Sequence, residues 1–155
     1  QQTKDDILKA SFKSWPKNTL EKELAKSKRT LTSSDFGIHN SILSKTGELF
    51  FLDFDYFGWD DPVKVACDFF WHPGMDLSEK KKKYWIDGIS QIFCSKDKFF
   101  MKRLNSAFPL YGLRWCLISL NAYLKWENPK IKTLQLAQLE VSRKILHNVQ
   151  AKIWL

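Results

Sequence analysis

The stretch "SSDFGIHNSILSKTGELFFLDFD" (residues 33–55) decides how this chain folds. Two apolar runs, "SIL" at 41–43 and "LFFLDF" at 49–54, flank "SKTGE", whose Gly47 supplies the backbone freedom of a tight turn. The pattern predicts a β-hairpin. Asp35 and Asn40 precede it, and Asp53 ends its second strand. A hairpin returns the chain to its starting edge, so Asp35, Asn40 and Asp53 are predicted to meet at one end of the ribbon.

Outward from the hairpin the pattern turns helical. "TKDDILKASFKSW" carries Ile7, Leu8, Phe12 and Trp15 at helical spacing and stops at Pro16. A second helix is predicted up to about residue 28, with Asn18 as cap and Glu21 as its capping-box partner. On the other side, Asp61 caps and Pro62 opens a helix over "PVKVACDFFWH", stopped by Pro73-Gly74. "SEKKKKYWIDGISQIF" follows, capped by Ser78, with Trp85, Ile89, Ile92 and Phe93 on one face. "KDKFFMKRLNSAF" is predicted to break before Pro109. "PLYGLRWCLISLNAYLKW" then reads as a buried central helix and "TLQLAQLEVSRKILHNVQAKIWL" as a last amphipathic one. The expected fold class is α+β, mostly α, a single domain over residues 1–155 with one small hairpin.

The bulk composition agrees with a folded domain. In 155 residues, 44% are hydrophobic and 15% aromatic, enough for a substantial core, and 27% are charged. No stretch approaches the ~18 to 20 uncharged apolar residues that span a bilayer, so no membrane partner is expected. The opening residues lack a secretory signal and an initiator Met, which predicts a piece of a longer chain. Cys67, Cys94 and Cys116 are odd in number and lack metal spacing, so neither a disulfide framework nor a zinc site is expected, and a reducing cytoplasm is the predicted home. The net charge of +8 is scattered over helix surfaces, and its densest run, "EKKKKYW" at 79–85, reads as a solvated face and not a nucleic-acid patch. His39 and His72 have no neighbour at metal spacing and read as structural.

The acidic loops carry the chemistry. Convergent Asp and Asn oxygens suit a hard divalent cation such as Mg²⁺, and an aspartate not consumed by metal can accept a hydroxyl proton. An Asp, an Asn five residues on and a later metal-binding Asp is the layout of phosphoryl transfer.

The residues "SDFGIHNSIL…GELFFLDFDYFGWDDPVKVACDF" resemble the second half of the aminoglycoside phosphotransferase and choline kinase family, relatives of the protein kinases. "SSDFGIHN" matches that family's HGDxxxxN catalytic loop. "LDFD" at 52–55 matches its metal strand, "WDDP" at 59–62 the following turn, and Asp68 the acidic residue of the next helix. The resemblance implies Asp35 as catalytic base, Asn40 and Asp53 as Mg²⁺ ligands, and Asp55 near metal or acceptor. Ser33, Asp61 and Asp68 are expected to be structural, Asp61 as the helix cap and Asp68 by bonding to loop backbone. The letters DFG at 35–37 are then a coincidence, since the kinase metal aspartate corresponds to Asp53. Ser33 and Ser34 stand where the family has His-Gly; a Ser can still bond loop backbone.

The resemblance further implies the helical C-terminal lobe of a protein-kinase-like fold, an ATP-dependent transfer to a small-molecule hydroxyl, and dependence on an N-terminal nucleotide lobe. Nothing before residue 31 reads as that lobe, so the isolated residues are expected to turn over negligibly. A pseudokinase-like interaction domain and a basic helical nucleic-acid-binding module are the alternatives. The basic balance favours a sugar-like acceptor over a polycationic aminoglycoside.

Overall fold

The computed structural model describes residues 2–33, 35–121 and 132–151. The chain is α+β and mostly helical, with two small antiparallel sheets. It divides into two compact units, residues 16–104 and residues 1–15 with 105–155.

In the unit of residues 16–104, the hairpin forms as its sequence dictates. Strand β2 (Ser41–Leu43) pairs with strand β3 (Leu49–Phe51) in the register Ser41↔Phe51. Gly47 turns the chain at φ 87°, where a side chain is strained. A second ladder, which the sequence pattern does not announce, encloses the first. Strand β1 (Thr30–Thr32) pairs with β4 (Gly58–Asp60), Thr32 lying opposite Gly58. The expectation of a single hairpin is thereby corrected: three-residue strands are too short to show a period. Residues 33–40 and 52–57 are the two connectors between the ladders, and they hold Asp35, Asn40, Asp53 and Asp55.

Beyond β4, Asp61 caps helix α2 (Pro62–Trp71) by accepting from the Val63 amide at 2.9 Å. The helix stops at His72, before Pro73. Ser78 likewise caps helix α3 (Glu79–Cys94) through the Lys81 amide. Its lysine run is mainly solvated: Lys80, Lys81 and Lys83 are exposed, and Lys82 pairs with Glu79 at 2.9 Å. The buried face of α3 is Ile86 and Ile89, with Ile92 exposed, which shifts the apolar face predicted from Trp85, Ile89, Ile92 and Phe93. Val63, Ala66, Cys67, Phe70 and Trp71 bury the inner face of α2.

Arg103 ties this unit together. Its guanidinium donates to both Asp61 oxygens at 3.1 Å and to the buried Asp97, which also pairs with Lys28 at 3.0 Å. Burial alone would push the Asp97 carboxyl up, but hydrogen bonds from Arg103, the Phe99 amide and Lys28 outweigh it and hold it below its ordinary range.

Two predicted helices change. Residues 17–25 form turns: Asn18 takes φ 60°, a left-handed conformation incompatible with the extended backbone of a helix cap, and Thr19 donates to the Pro16 carbonyl at 2.7 Å. Only one short turn, Lys26–Lys28, is helical in that stretch. Conversely, helix α4 (Phe100–Ser119) runs through Pro109, where a break was expected. Proline removes the amide that would bond the Asn105 carbonyl, and Asn105 is exposed, so water can take that bond.

The other unit starts with helix α1 (Gln2–Ser14), which ends just before Pro16 as its sequence predicts. Helix α5 (Lys132–Gln150) and the later turns of α4 supply its core, with Phe108, Trp115, Ile145 and Val149 buried. Cys116 and Ser142 lock the two helices reciprocally: Sγ donates to the Ser142 carbonyl at 3.3 Å, and Ser142 Oγ to the Cys116 carbonyl at 3.0 Å. The ends of the last two predicted helices, at 122–131 and 152–155, lie outside the described residues.

Candidate active site

The connector of residues 33–40 is held by an aromatic peg. Phe36 packs on Phe51 of β3 at 4.8 Å and on Phe69 of α2 at 5.9 Å, and Phe69 stacks on Trp85 at 4.0 Å. The Trp85 indole N–H donates to the Ala66 carbonyl at 3.0 Å. The phenylalanine of the "DFG" letters is thus an anchor for the loop, and it fixes its neighbour Asp35. Gly37 is required for space: a Cβ there would meet the His39 ring at 2.6 Å and the Met75 sulfur at 2.7 Å.

Asn40 links the predicted residues. Its side-chain amide donates to the Asp35 carbonyl at 3.0 Å and to Asp35 Oδ2 at 3.2 Å. Both bonds use Nδ2, so Oδ1 of Asn40 stays available as an acceptor for a cation. Its backbone carbonyl accepts from the Leu52 amide at 2.8 Å, which extends the β2–β3 ladder by one step and sets Asp53 immediately beyond Asn40. Asp53 takes φ 60°. A left-handed aspartate costs free energy that surrounding structure must offset, a condition that concentrates at functional sites.

The hairpin therefore brings Asp35 and Asn40 into direct contact and Asp53 beside them along the backbone. The Asp53 carboxylate is not among the ligand atoms that gather within 4.8 Å of one another; among the described residues those belong to Asp35, His39 and His72. Asp55 is exposed on the same connector. Ser33 is buried, and its carbonyl accepts from the Thr32 hydroxyl at 2.8 Å. Ser34 lies outside the described residues. Asp61 is the cap and Arg103 partner described above, and Asp68 pairs with Lys64 one turn away at 3.2 Å.

Sequence spacing missed the histidines. His39 Nε2 lies 3.1 Å and His72 Nε2 3.5 Å from the same Asp35 oxygen, Oδ1. The two imidazoles stack with centroids 3.9 Å apart and planes 3° from parallel. They are distant in sequence, so only the position of His39, one helical step after Asp35, hinted at the grouping. Burial, then the neighbouring His39, lowers the His72 pKa from 6.5, against the opposite pull of Asp35 and Asp68. Asp35 remains open, with its side chain 49% exposed against 20% for His39 and 16% for His72. A solvent-reachable carboxylate is thus backed by less exposed donors.

A separate cleft of about 280 Å³ is lined by Lys26, Arg29 and Trp59, none of which belongs to this group. No helix among the described residues is long and apolar enough to cross a membrane. No family model matches the chain, and no curated protein or solved structure is significantly similar to it.

Proposed function

We propose that these residues form the C-terminal lobe of an ATP-dependent phosphotransferase acting on a hydroxyl of a small molecule. One observation supports the reading: Asn40 bonds Asp35 through its side chain and, through its backbone, the Leu52 amide just before Asp53, so the proposed base touches one proposed cation ligand and the other follows on the same ladder.

In this reading the Asp35 carboxylate accepts the proton of the acceptor hydroxyl as its oxygen bonds the γ-phosphorus, and the bond from that phosphorus to the bridging oxygen of ADP breaks. Asn40 and Asp53 offer the oxygen donors that Mg²⁺ prefers, and Asp55 lies close along the chain. A bound Mg²⁺ would neutralise phosphate charge during transfer.

The nucleotide lobe belongs to the proposal as a partner, and the surface of the hairpin supports it. Ile42, Leu43, Phe50, Tyr56, Phe57 and Trp59 are each more than half exposed. So many large apolar side chains left exposed on and beside the hairpin support a covering partner. The net charge of +8 disfavours a polycationic acceptor and favours a sugar or similar alcohol.

The test is ATP consumption by the native chain containing these residues, with Mg²⁺, against a panel of sugars and small alcohols. Wild type should turn over at least one of them, and D35N should lose roughly a hundredfold to ten-thousandfold in kcat. Equal rates for the two proteins would remove Asp35 from the chemistry. The isolated 155 residues should show negligible transfer.

A further inference from the structure

We propose that His72 is a positioning residue for Asp35, its Nε2–H directed at Oδ1 across 3.5 Å, a longer contact than the 3.1 Å bond of His39, so that the carboxylate is held in one orientation with a single acceptor site open. The consequence for catalysis rests on the phosphotransferase reading; the contact itself does not.

Three observations converge on it. His72 is fixed in place as the residue that ends α2: its amide bonds the Asp68 carbonyl at 2.9 Å, and Pro73 follows. Its tautomer is set from behind, because the Gly74 amide donates to Nδ1 at 3.0 Å. Nδ1 must then present a lone pair, which leaves the proton of a neutral ring on Nε2, the atom facing Asp35. Third, the parallel His39 ring at 3.9 Å blocks rotation of the His72 imidazole. Burial and the His39 neighbour both favour the neutral form of His72.

Counting acceptor sites then gives the result. An ionised carboxylate offers about four lone-pair positions. On Asp35, Oδ1 faces two imidazole nitrogens and Oδ2 takes the Asn40 amide. The remaining position is on Oδ2, and it is the one assigned to the substrate proton.

The same three side chains have the composition of a two-histidine, one-carboxylate metal site, and the Gly74 bond argues against that use. Ligation through Nε2 would need the His72 proton on Nδ1, pointing at another donor. Metal-bound histidines instead donate from their second nitrogen to an acceptor.

A pair of substitutions separates positioning from loop structure. In H72Q the amide nitrogen reaches the Nε2 position and keeps the donor to Asp35. In H72N the side chain reaches only the Nδ1 position and keeps an acceptor for Gly74. With the native chain containing these residues, ATP, Mg²⁺ and a mixture of glucose, glycerol and choline, H72N should lose roughly tenfold to a hundredfold in kcat at unchanged KM for ATP. H72Q should recover most of that loss. The reverse order, equal losses, an unaffected H72N, or a loss confined to KM would each overturn the assignment.

A second readout needs no turnover. Nitrogen NMR of the 155-residue chain should show His72 as the Nε2–H tautomer, with a signal displaced by D35N. An Nδ1–H tautomer, or a signal indifferent to D35N, refutes the bond. If the wild-type chain transfers no phosphoryl group, the phosphotransferase reading falls, and the tautomer measurement alone decides whether His72 holds Asp35.

Discussion

Replacing Asp53 by glycine should make the protein more stable and, on the phosphotransferase proposal, abolish Mg²⁺-dependent transfer. Asp53 sits at φ 60°, where an L-residue pays roughly 1–2 kcal/mol that glycine does not. Glycine brings a more flexible unfolded chain, which subtracts about 0.4–1 kcal/mol. Asp53 is exposed, so little buried surface is lost. The net expectation for D53G is a gain between about 0 and 1.5 kcal/mol, and a gain of 1 kcal/mol corresponds to a rise of about 2–4 °C in Tm. D53A keeps the backbone penalty without the short polar side chain that tolerates it, and should fall below wild type. Urea unfolding of the three proteins gives the order glycine, aspartate, alanine. Mg²⁺-dependent transfer by the native chain should be lost in both variants. A D53G protein less stable than wild type by more than about 0.5 kcal/mol would refute the left-handed backbone. A D53G protein with full transfer would refute Asp53 as a cation ligand.

R103A should destabilise the protein by about 1.5–3 kcal/mol in urea unfolding, because it leaves the buried Asp97 only Lys28 and the Phe99 amide and strips Asp61 of its guanidinium. R103K should recover only part, since an ammonium cannot fork between two carboxylates; a loss under about 1 kcal/mol for R103A would show the network to be idle. The Asp97 carboxyl titrates below its ordinary value of 3.8 when folded, so its contribution is complete above that pH and disappears as pH falls through the lower folded value. The urea midpoint should therefore drop more steeply for wild type than for D97N between about pH 5 and pH 2.5. Cys67 and Cys116 are buried, and burial raises both thiols, whereas Cys94 is exposed. Alkylation of the native protein should modify Cys94 alone by mass spectrometry, with the other two reacting after denaturation.

The legible parts of the sequence were those where one residue type enforces one geometry. Gly47 marked the turn, Asp61-Pro62 the start of α2, and Ser78 the start of α3; each appears where local chemistry requires it. The contact of Asp35 with Asn40 followed from hairpin topology. The misreadings have a common cause, namely that tertiary context outranked local preference. Asn18 had the letters of a helix cap but turned left-handed, and Pro109 stands inside a helix whose packing tolerates it. Strands β1 and β4 were too short to signal themselves. His72 reaches Asp35 only because α2 folds back, and no spacing rule records such a meeting.

The nested ladders give the molecule a mechanical partition. Thr32↔Gly58 and Ser41↔Phe51 clamp both ends of the two connectors that carry the acidic residues, while the tip at Gly47 lies beyond the inner ladder. Extra residues spliced into that tip lengthen a free overhang, so fluorescent or affinity tags can be grafted there without disturbing the corner. A residue added between the clamps would instead lengthen one of the two connectors and displace the acidic side chains that it carries.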